Sequence, residues 1–417
     1  MTVSCGIDFG TTNTAAAVIK NDITPQLVEL EDNNITIPSA LFFSEDNKVY
    51  FGRRAMKMYT DAESGRCMRS LKRVLGSDLM SVGTYINNKK YSFIEILSCF
   101  LRNIKNKTDA SAGTEVENVV MGRPVHFRDN DSQGDLRAQE ELRKIAANVG
   151  FKNIEFQYEP IAAAFAHERF VQNEKLACVI DVGGGTSDFT ILKVGKNLMK
   201  KADRKDDILA NAGVRVGGND FDKDLSLSCF MPAFGYKTKH NKKDIELPAA
   251  PYQTMAEWSK INSMYNYQEL NFAKKMLYDA VEKEKVRRFV ELIEKQLGYL
   301  LLNTVENTKI RLTEVESQNI KLDYISDAPI INATRDDFEM SMRWDIRRIS
   351  RQIEECIKQA QVKSSDVELV ILTGGSTEIP AIKKLVEIYF PNAELSQENK
   401  LSSVGLGLAY DSGRKFA

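Results

Sequence analysis

The chain's 417 residues, 43% hydrophobic and 28% charged, match a folded globular protein of two to three domains and exclude a disordered or fibrous class. With 57 basic against 58 acidic residues the formal charge is −1, so no global field draws in nucleic acid or anionic lipid, and any charged partner site must be local. The first predicted element, over 3–9, is an apolar strand whose Asp8 and Gly10 lead into Thr11, Thr12, Asn13 and Thr14. An aspartate there suits a hard cation, the glycine permits a tight turn, and the turn points N–H groups at an anion. A second strand over 15–19 makes this a hairpin rather than the strand-to-helix unit of a P-loop, and no GxxxxGK[ST] occurs.

Residues 22–38 read as further sheet with turns, and 39–115 as a mixed α+β insert. Within it, 68–76 (MRSLKRVLG) reads as a short basic helix ended by glycine and, by composition, as a solvated surface turn. Next come a strand over 116–125, an amphipathic helix over 135–149 closed by Gly150, and a strand over 153–158. A helix starting at Pro160 follows, its alanines suited to close packing, with Glu159 at the strand-to-helix junction where α/β sites form.

The hairpin returns over 178–194 with Asp181, Gly183, Gly184, Gly185 and Thr186 in its turn. Aligning 7–20 with 180–193 pairs Asp8 with Asp181, Gly10 with Gly183, Thr12 with Thr186 and Val18 with Leu192, which predicts an internal duplication. After a charged turn near 200–207 and the stretch 210–216, Gly217 and Gly218 open another turn. Residues 231–265 carry prolines, aromatics and the basic run 237–243, read as solvated loop. The charged helical region 267–313 drifts off a heptad, which favours helices of a lobe over a coiled coil. Strands return over 320–334, a helix over 335–360, a buried strand from 367 into Gly374, Gly375 and Ser376, and a helix over 381–390.

Six scattered cysteines form no CxxC pair, so buried thiols are expected rather than disulfides or zinc ligands. His126, His167 and His240 show no ligand spacing and are assigned no function. The first strand starts within a few residues of Met1 and no apolar run is long enough to span a bilayer. A cytoplasmic protein with neither a nucleic acid nor a membrane as partner is expected.

Asp8 and Asp181, at matching positions of duplicated halves, would repel across a cleft unless a cation lay between them. Mg²⁺ held mostly through water and phosphate oxygens fits that place. The paired glycine turns would give N–H donors to phosphates, with hydroxyls from Thr11, Thr12 and Thr186. Glu159 is suited to orient or deprotonate a water, and Lys72 to neutralise a transferring phosphoryl group. Together these make phosphoryl transfer by positioning and electrostatics.

Four blocks then give the chain a family likeness: GIDFGTTNT at 6–14, EPIAAAFAHE at 159–168, VIDVGGGTSDFTIL at 179–192 and LTGGSTEIPAIKKL at 372–385, supported by VGGNDFDKDL at 216–225. Over essentially its whole length the chain resembles the nucleotide-binding domain of the DnaK-type heat-shock chaperones, within the actin-like ATPase superfamily. Around Trp258 it is similar to the shortened YegD-like chaperone homologues. The resemblance implies an α/β fold of the actin-like, ribonuclease H-like kind, with two duplicated lobes closing on Mg-ATP or Mg-ADP. Lobe I would be 1–170 with 396–417, its inserted subdomain about 38–116. Lobe II would be 171–395, its insert about 217–341 with an extra segment about 231–265.

By the same likeness, Asp8 and Asp181 would hold the metal through water. Gly10, Thr11, Thr12, Asn13, Gly183, Gly184 and Gly185 would contact phosphates, and Lys72, Glu159, Asp181 and Thr186 would be catalytic. Gly217, Gly218, Glu306, Lys309, Thr313, Gly374, Gly375 and Ser376 would line the nucleoside side. The chain departs from the family at Ile310 and Glu378, where adenine-stacking arginines are usual, and at Leu401, where an acidic residue is usual. Weaker ATP binding or a shifted base preference is therefore expected. The implied function is slow Mg-dependent ATP hydrolysis that drives lobe closure toward a protein partner, without a client-binding domain. The alternatives are a small-molecule kinase on the same fold and a nucleotide-binding scaffold or filament protein.

Overall fold

Apolar and small residues run almost unbroken through 3–9 and 14–19, the pattern of strands covered on both faces. In the computed structural model Val3–Phe9 and Asn13–Lys20 pair antiparallel, with Asp8 opposite Ala15 and Phe9 opposite Thr14. The structure describes all residues except 1–2, 22–23, 62, 129–130, 169–170, 172, 199–200, 202–203 and 397–401. Cys5, Ile7, Phe9 and all five residues from Ala15 to Ile19 are buried. One cover is the helix Ser403–Lys415: a Cβ on Gly6 would lie 2.2 Å from Ala409 N, so only glycine lets strand and helix approach this closely. The same helix meets Glu159–Glu168, where a Cβ on Gly407 would lie 1.6 Å from Ala162 O. The alanine-rich helix thus packs as closely as its composition suggested.

The first sheet runs Gln26–Leu27, Asn13–Lys20, Val3–Phe9, Asn118–Arg123, Asn153–Tyr158, with Thr36–Pro38 also paired to Asn13–Lys20. The second runs Ile208–Val214, Ser187–Val194, Lys175–Val182, Leu369–Thr373, Glu394–Ser396. In both, a hairpin and its third strand are antiparallel while two parallel strands extend the other side. The duplication read from the two turns is therefore also a duplication of strand order. The α/β class holds.

The insert after the first hairpin carries a three-stranded sheet of Val49–Phe51, Ala40–Ser44 and Gly65–Arg69, and the helix Phe93–Ala112. That helix starts at a capping box in which Ser92 and Glu95 satisfy each other's backbone N–H. Phe100, Ile104, Leu142 and Ile145 join it to the helix Ser132–Asn148 and the first sheet's core.

Residues Gly218–Arg347 with Glu378–Ala381 form a second compact unit, and the rest of the chain the first. The second unit is built on buried Phe221, Phe230, Phe234, Tyr252, Phe289 and Phe338, with Tyr252 and Phe289 ring centroids 4.2 Å apart. Its helical region is three helices, Tyr267–Asp279, Lys283–Glu294 and Gly298–Leu312. The breaks fall where Ala280 is extended and Gln296 takes a positive φ. The helix expected over 335–360 is likewise two, Arg335–Ser341 and Arg343–Ala360, parted at buried Met342. Lys237, Lys239, Lys242 and Lys243 of the basic run are exposed, as a solvated loop requires.

All six cysteines are free thiols, four of them buried. No helix of the described residues is long and apolar enough to cross a membrane.

Candidate functional site

The turn after Val3–Phe9 is tight because a Cβ on Gly10 would meet Asn13 O at 2.2 Å. Ser39 holds it: its Oγ donates to Gly10 O at 2.7 Å and bonds Thr14 Oγ1 at 2.9 Å, and its N–H donates to Thr12 O. Thr12 Oγ1 is buried and has no hydrogen-bond partner among the described residues. A buried hydroxyl left so is costly unless a ligand completes it.

The second turn has the same logic. Gly183 N–H donates to Thr186 O, and Ser376 Oγ donates to Gly183 O at 3.2 Å. Gly217 lies against it, where a Cβ would come within 2.6 Å of Gly185 N. Gly374 takes φ +82°, and a Cβ there would stand 2.4 Å from Val182 O and 2.7 Å from Asp181 Oδ1. These glycines leave backbone, not side chain, facing the ligand space.

The stretch 68–76 departs from its reading by composition. Instead of a solvated surface turn, Leu71–Val74 is one turn of 3₁₀ helix, and Lys72 is buried with its Nζ 2.5 Å from Glu159 Oε1. Nor does Gly76 simply end a helix. At φ +69° it packs on Ser132–Asn148, where a Cβ would meet Gly134 O at 2.3 Å. The neighbouring Arg73 donates to Gly185 O at 3.2 Å, which ties the insert to the second glycine turn.

These groups line one cavity of about 120 Å³, room for about four waters. Its walls include Asp8, Gly10, Thr11, Thr12, Asn13, Lys72, Glu159, Asp181, Gly183, Gly184, Gly185, Thr186, Gly374 and Gly375. Arg73, His126, Phe127 and Arg215 also line it. Sequence reasoning missed these four and Ser39, although Arg73 stood beside Lys72 in the block already singled out. Arg215 is held there by donating to Phe127 O at 3.1 Å.

Burial pushes the carboxyls of both Asp8 and Asp181 up to about 8, reinforced by the charge of Glu159. Asp188, paired with Asp181 in the hairpin, adds to the second shift. Burial works against the charge of Lys72, but Glu159, Asp8 and Asp181 outweigh it and hold its pKa above the ordinary value. No group of three or more His, Cys, Asp or Glu side chains among the described residues could hold a metal directly. Two half-buried aspartates, an orphaned hydroxyl and backbone-walled turns fit a cation that takes its other ligands from water and phosphate.

A pH effect follows. Between about pH 4 and 8 the folded protein keeps protons on Asp8 and Asp181 that the unfolded chain has lost, so stability falls as pH rises and levels off above the folded pKa. In EDTA the melting temperature is expected to fall between pH 6 and 8.5. Added Mg²⁺ with nucleotide should raise it more at pH 8.5 than at pH 6, because bound cation displaces those protons. Calorimetric melts over this range check it; an equal stabilisation at both pH values would contradict it.

Gly218, Glu306, Lys309, Thr313, Ile310 and Glu378 belong to the second unit. There Lys309 Nζ contacts Asp222 Oδ1 at 2.8 Å and Gly218 O at 3.2 Å, and Thr313 Oγ1 donates to Ile310 O. Ile310 is exposed. Leu401 lies outside the described residues.

The family model described as Hsp70 protein matches residues 4–273 and 270–413. The chaperone protein DnaK of Thermosipho melanesiensis is 27% identical over 415 residues, 97% of this chain and 58% of that protein. The chaperone protein DnaK of Thermotoga maritima is 27% identical over 413 residues, with the same two shares. The chain thus spans a little over half the length of these relatives.

Proposed function

The chain belongs to the Hsp70 family, and on that premise we propose that its first unit binds the phosphates of Mg-ATP and hydrolyses them slowly, in the manner of a chaperone-type ATPase switch. The observation that carries this is the convergence of Asp8, Asp181 and the Lys72–Glu159 pair on one cavity walled by two related glycine turns. In this reading the duplicated sheets are the cores of lobes I and II.

Bound Mg²⁺ would neutralise phosphate charge and order water around it. Asp8 and Asp181 would hold that cation through water, and the N–H groups of 10–13 and 183–186 would orient the phosphates. Thr12 and Thr186 hydroxyls would donate to phosphate oxygens or water. Lys72, kept charged by its carboxylate neighbours, stabilises negative charge at the transferring group. Glu159, fixed by Lys72, positions a water. Gly217, Gly218, Glu306, Lys309, Thr313, Gly374, Gly375 and Ser376 are proposed for the nucleoside side, where Ile310 and Glu378 would weaken adenine selectivity. A protein partner that senses nucleotide state completes the proposal.

Calorimetric titration with Mg-ATP and Mg-ADP, followed by single-turnover hydrolysis with no added acceptor, tests it. Binding of both nucleotides and slow phosphate release are expected, each lost by tenfold or more in Asp181→Ala. Undetectable binding of both would overturn the reading. Phosphate release only with an added small-molecule acceptor would favour a kinase.

A further inference from the structure

Helical spacing places Met340, Arg343, Trp344 and Arg347 together where Arg335–Ser341 gives way to Arg343–Ala360. Met340 is 62% and Trp344 60% exposed, an unusual state for two large apolar side chains side by side. Chain composition does not require it, since the other tryptophan, Trp258, is 8% exposed. Both arginines lie over the indole, Arg343 Cζ at 5.5 Å and Arg347 Cζ at 4.6 Å from the ring centroid. Arg343 Nη1 also reaches Met340 Sδ at 3.7 Å. Among the described residues neither guanidinium has a carboxylate within 4.0 Å. Two uncompensated cations therefore frame an exposed aromatic surface held in one orientation by cation–π contact.

We propose that this face docks an acidic segment of a partner protein, whose carboxylates pair with Arg343 and Arg347 while an apolar side chain covers Trp344 and Met340. Tryptophan and arginine are the residues on which interface energy concentrates, and guanidinium takes carboxylate bidentately. The local charge selects the occupant. A polyanion such as nucleic acid gains affinity from many cations along an uninterrupted track, whereas here Arg343 and Arg347, followed by Arg348 and Arg351, lie in mixed charge with Asp345 between them, Asp336, Asp337 and Glu339 on the helix just before, and a net charge of −1 over the chain. A short acidic and apolar sequence matches the patch in both charge and size. This inference does not depend on the nucleotide reading, since all four residues lie in the second unit.

The test uses the full chain and a fluorescein-labelled 15-residue peptide of Asp and Glu around a central Leu-Phe pair. Its controls are the same peptide with Lys for every acid, and a 20-mer of deoxythymidine. The acidic peptide is expected to raise polarisation and quench tryptophan fluorescence, and to weaken with salt. Arg347→Glu and Trp344→Ala should each weaken it at least tenfold while leaving nucleotide binding and melting temperature unchanged. The proposal is overturned if the acidic peptide does not bind or binds both variants as well as wild type. Preference for the oligonucleotide would assign the face to nucleic acid instead, and concentration-dependent dimerisation lost in Trp344→Ala would assign it to a second copy; either result overturns it.

Discussion

Replacing Lys72 with methionine is expected to lower single-turnover ATP hydrolysis by about 10²–10³-fold, the usual cost of removing one preorganised charge from a transition state. Methionine keeps most of the side chain's volume in a buried site and removes only the ammonium. That ammonium is the one contact at 2.5 Å from Glu159, and it offsets the charge of Asp8 and Asp181 as well. Without it the carboxylates retain protons to a still higher pH, so Glu159 loses both its partner and its fixed orientation. Nucleotide affinity should change less than tenfold, because the turns proposed to face the phosphates are mostly backbone. A rate within threefold of wild type would rule out the assigned role; a parallel collapse of affinity and rate would mean Lys72 holds the ground state instead.

The fold was legible where a local rule sufficed. The two DxG turns, their flanking apolar runs and Gly374 each announce their backbone, and the paired sheets follow from them. What was not legible depends on residues brought together from far apart. Composition placed Lys72 at the surface because it sits among Arg69, Arg73 and a glycine, and nothing within 68–76 shows that Glu159, 87 positions on, draws it inward. Ser39 follows an ordinary Pro38 and has no motif, yet it fixes the first turn. Arg215 and His126 enter the cavity wall through tertiary placement alone. The helix breaks at 280 and 342 were hidden because no proline or glycine marks them, and at 296 the nearby Gly298 opens the next helix instead of closing the last.

Tertiary placement also gives Arg204 a role that its sequence neighbourhood does not suggest. Its guanidinium donates to Glu168 Oε2 at 2.7 Å and Oε1 at 2.6 Å, to Asp207 Oδ2 at 2.5 Å and to Lys193 O at 3.1 Å, and it lies over the Phe165 ring. Glu168 is fully buried at the C-terminal end of the helix whose first residue is Glu159. A carboxylate there opposes the helix dipole, so it needs the arginine more than an average acid would. Arg204→Met should cost about 3–5 kcal/mol of unfolding free energy, the penalty for stranding a buried charge. Burial pushes the Asp207 carboxyl up, but its bonds to Lys201 and Arg204 outweigh this and hold it below the ordinary range. Its share of wild-type stability is therefore present above about pH 4 and lost as pH falls further. Urea unfolding of Arg204→Met and wild type at pH 8, and of wild type again at pH 3, measures both effects, and a loss below about 1 kcal/mol at pH 8 would show that the network is not what holds this helix. Hydrolysis should fall as well in the variant that remains folded, because freeing one end of Glu159–Glu168 loosens the carboxylate that Lys72 orients at the other.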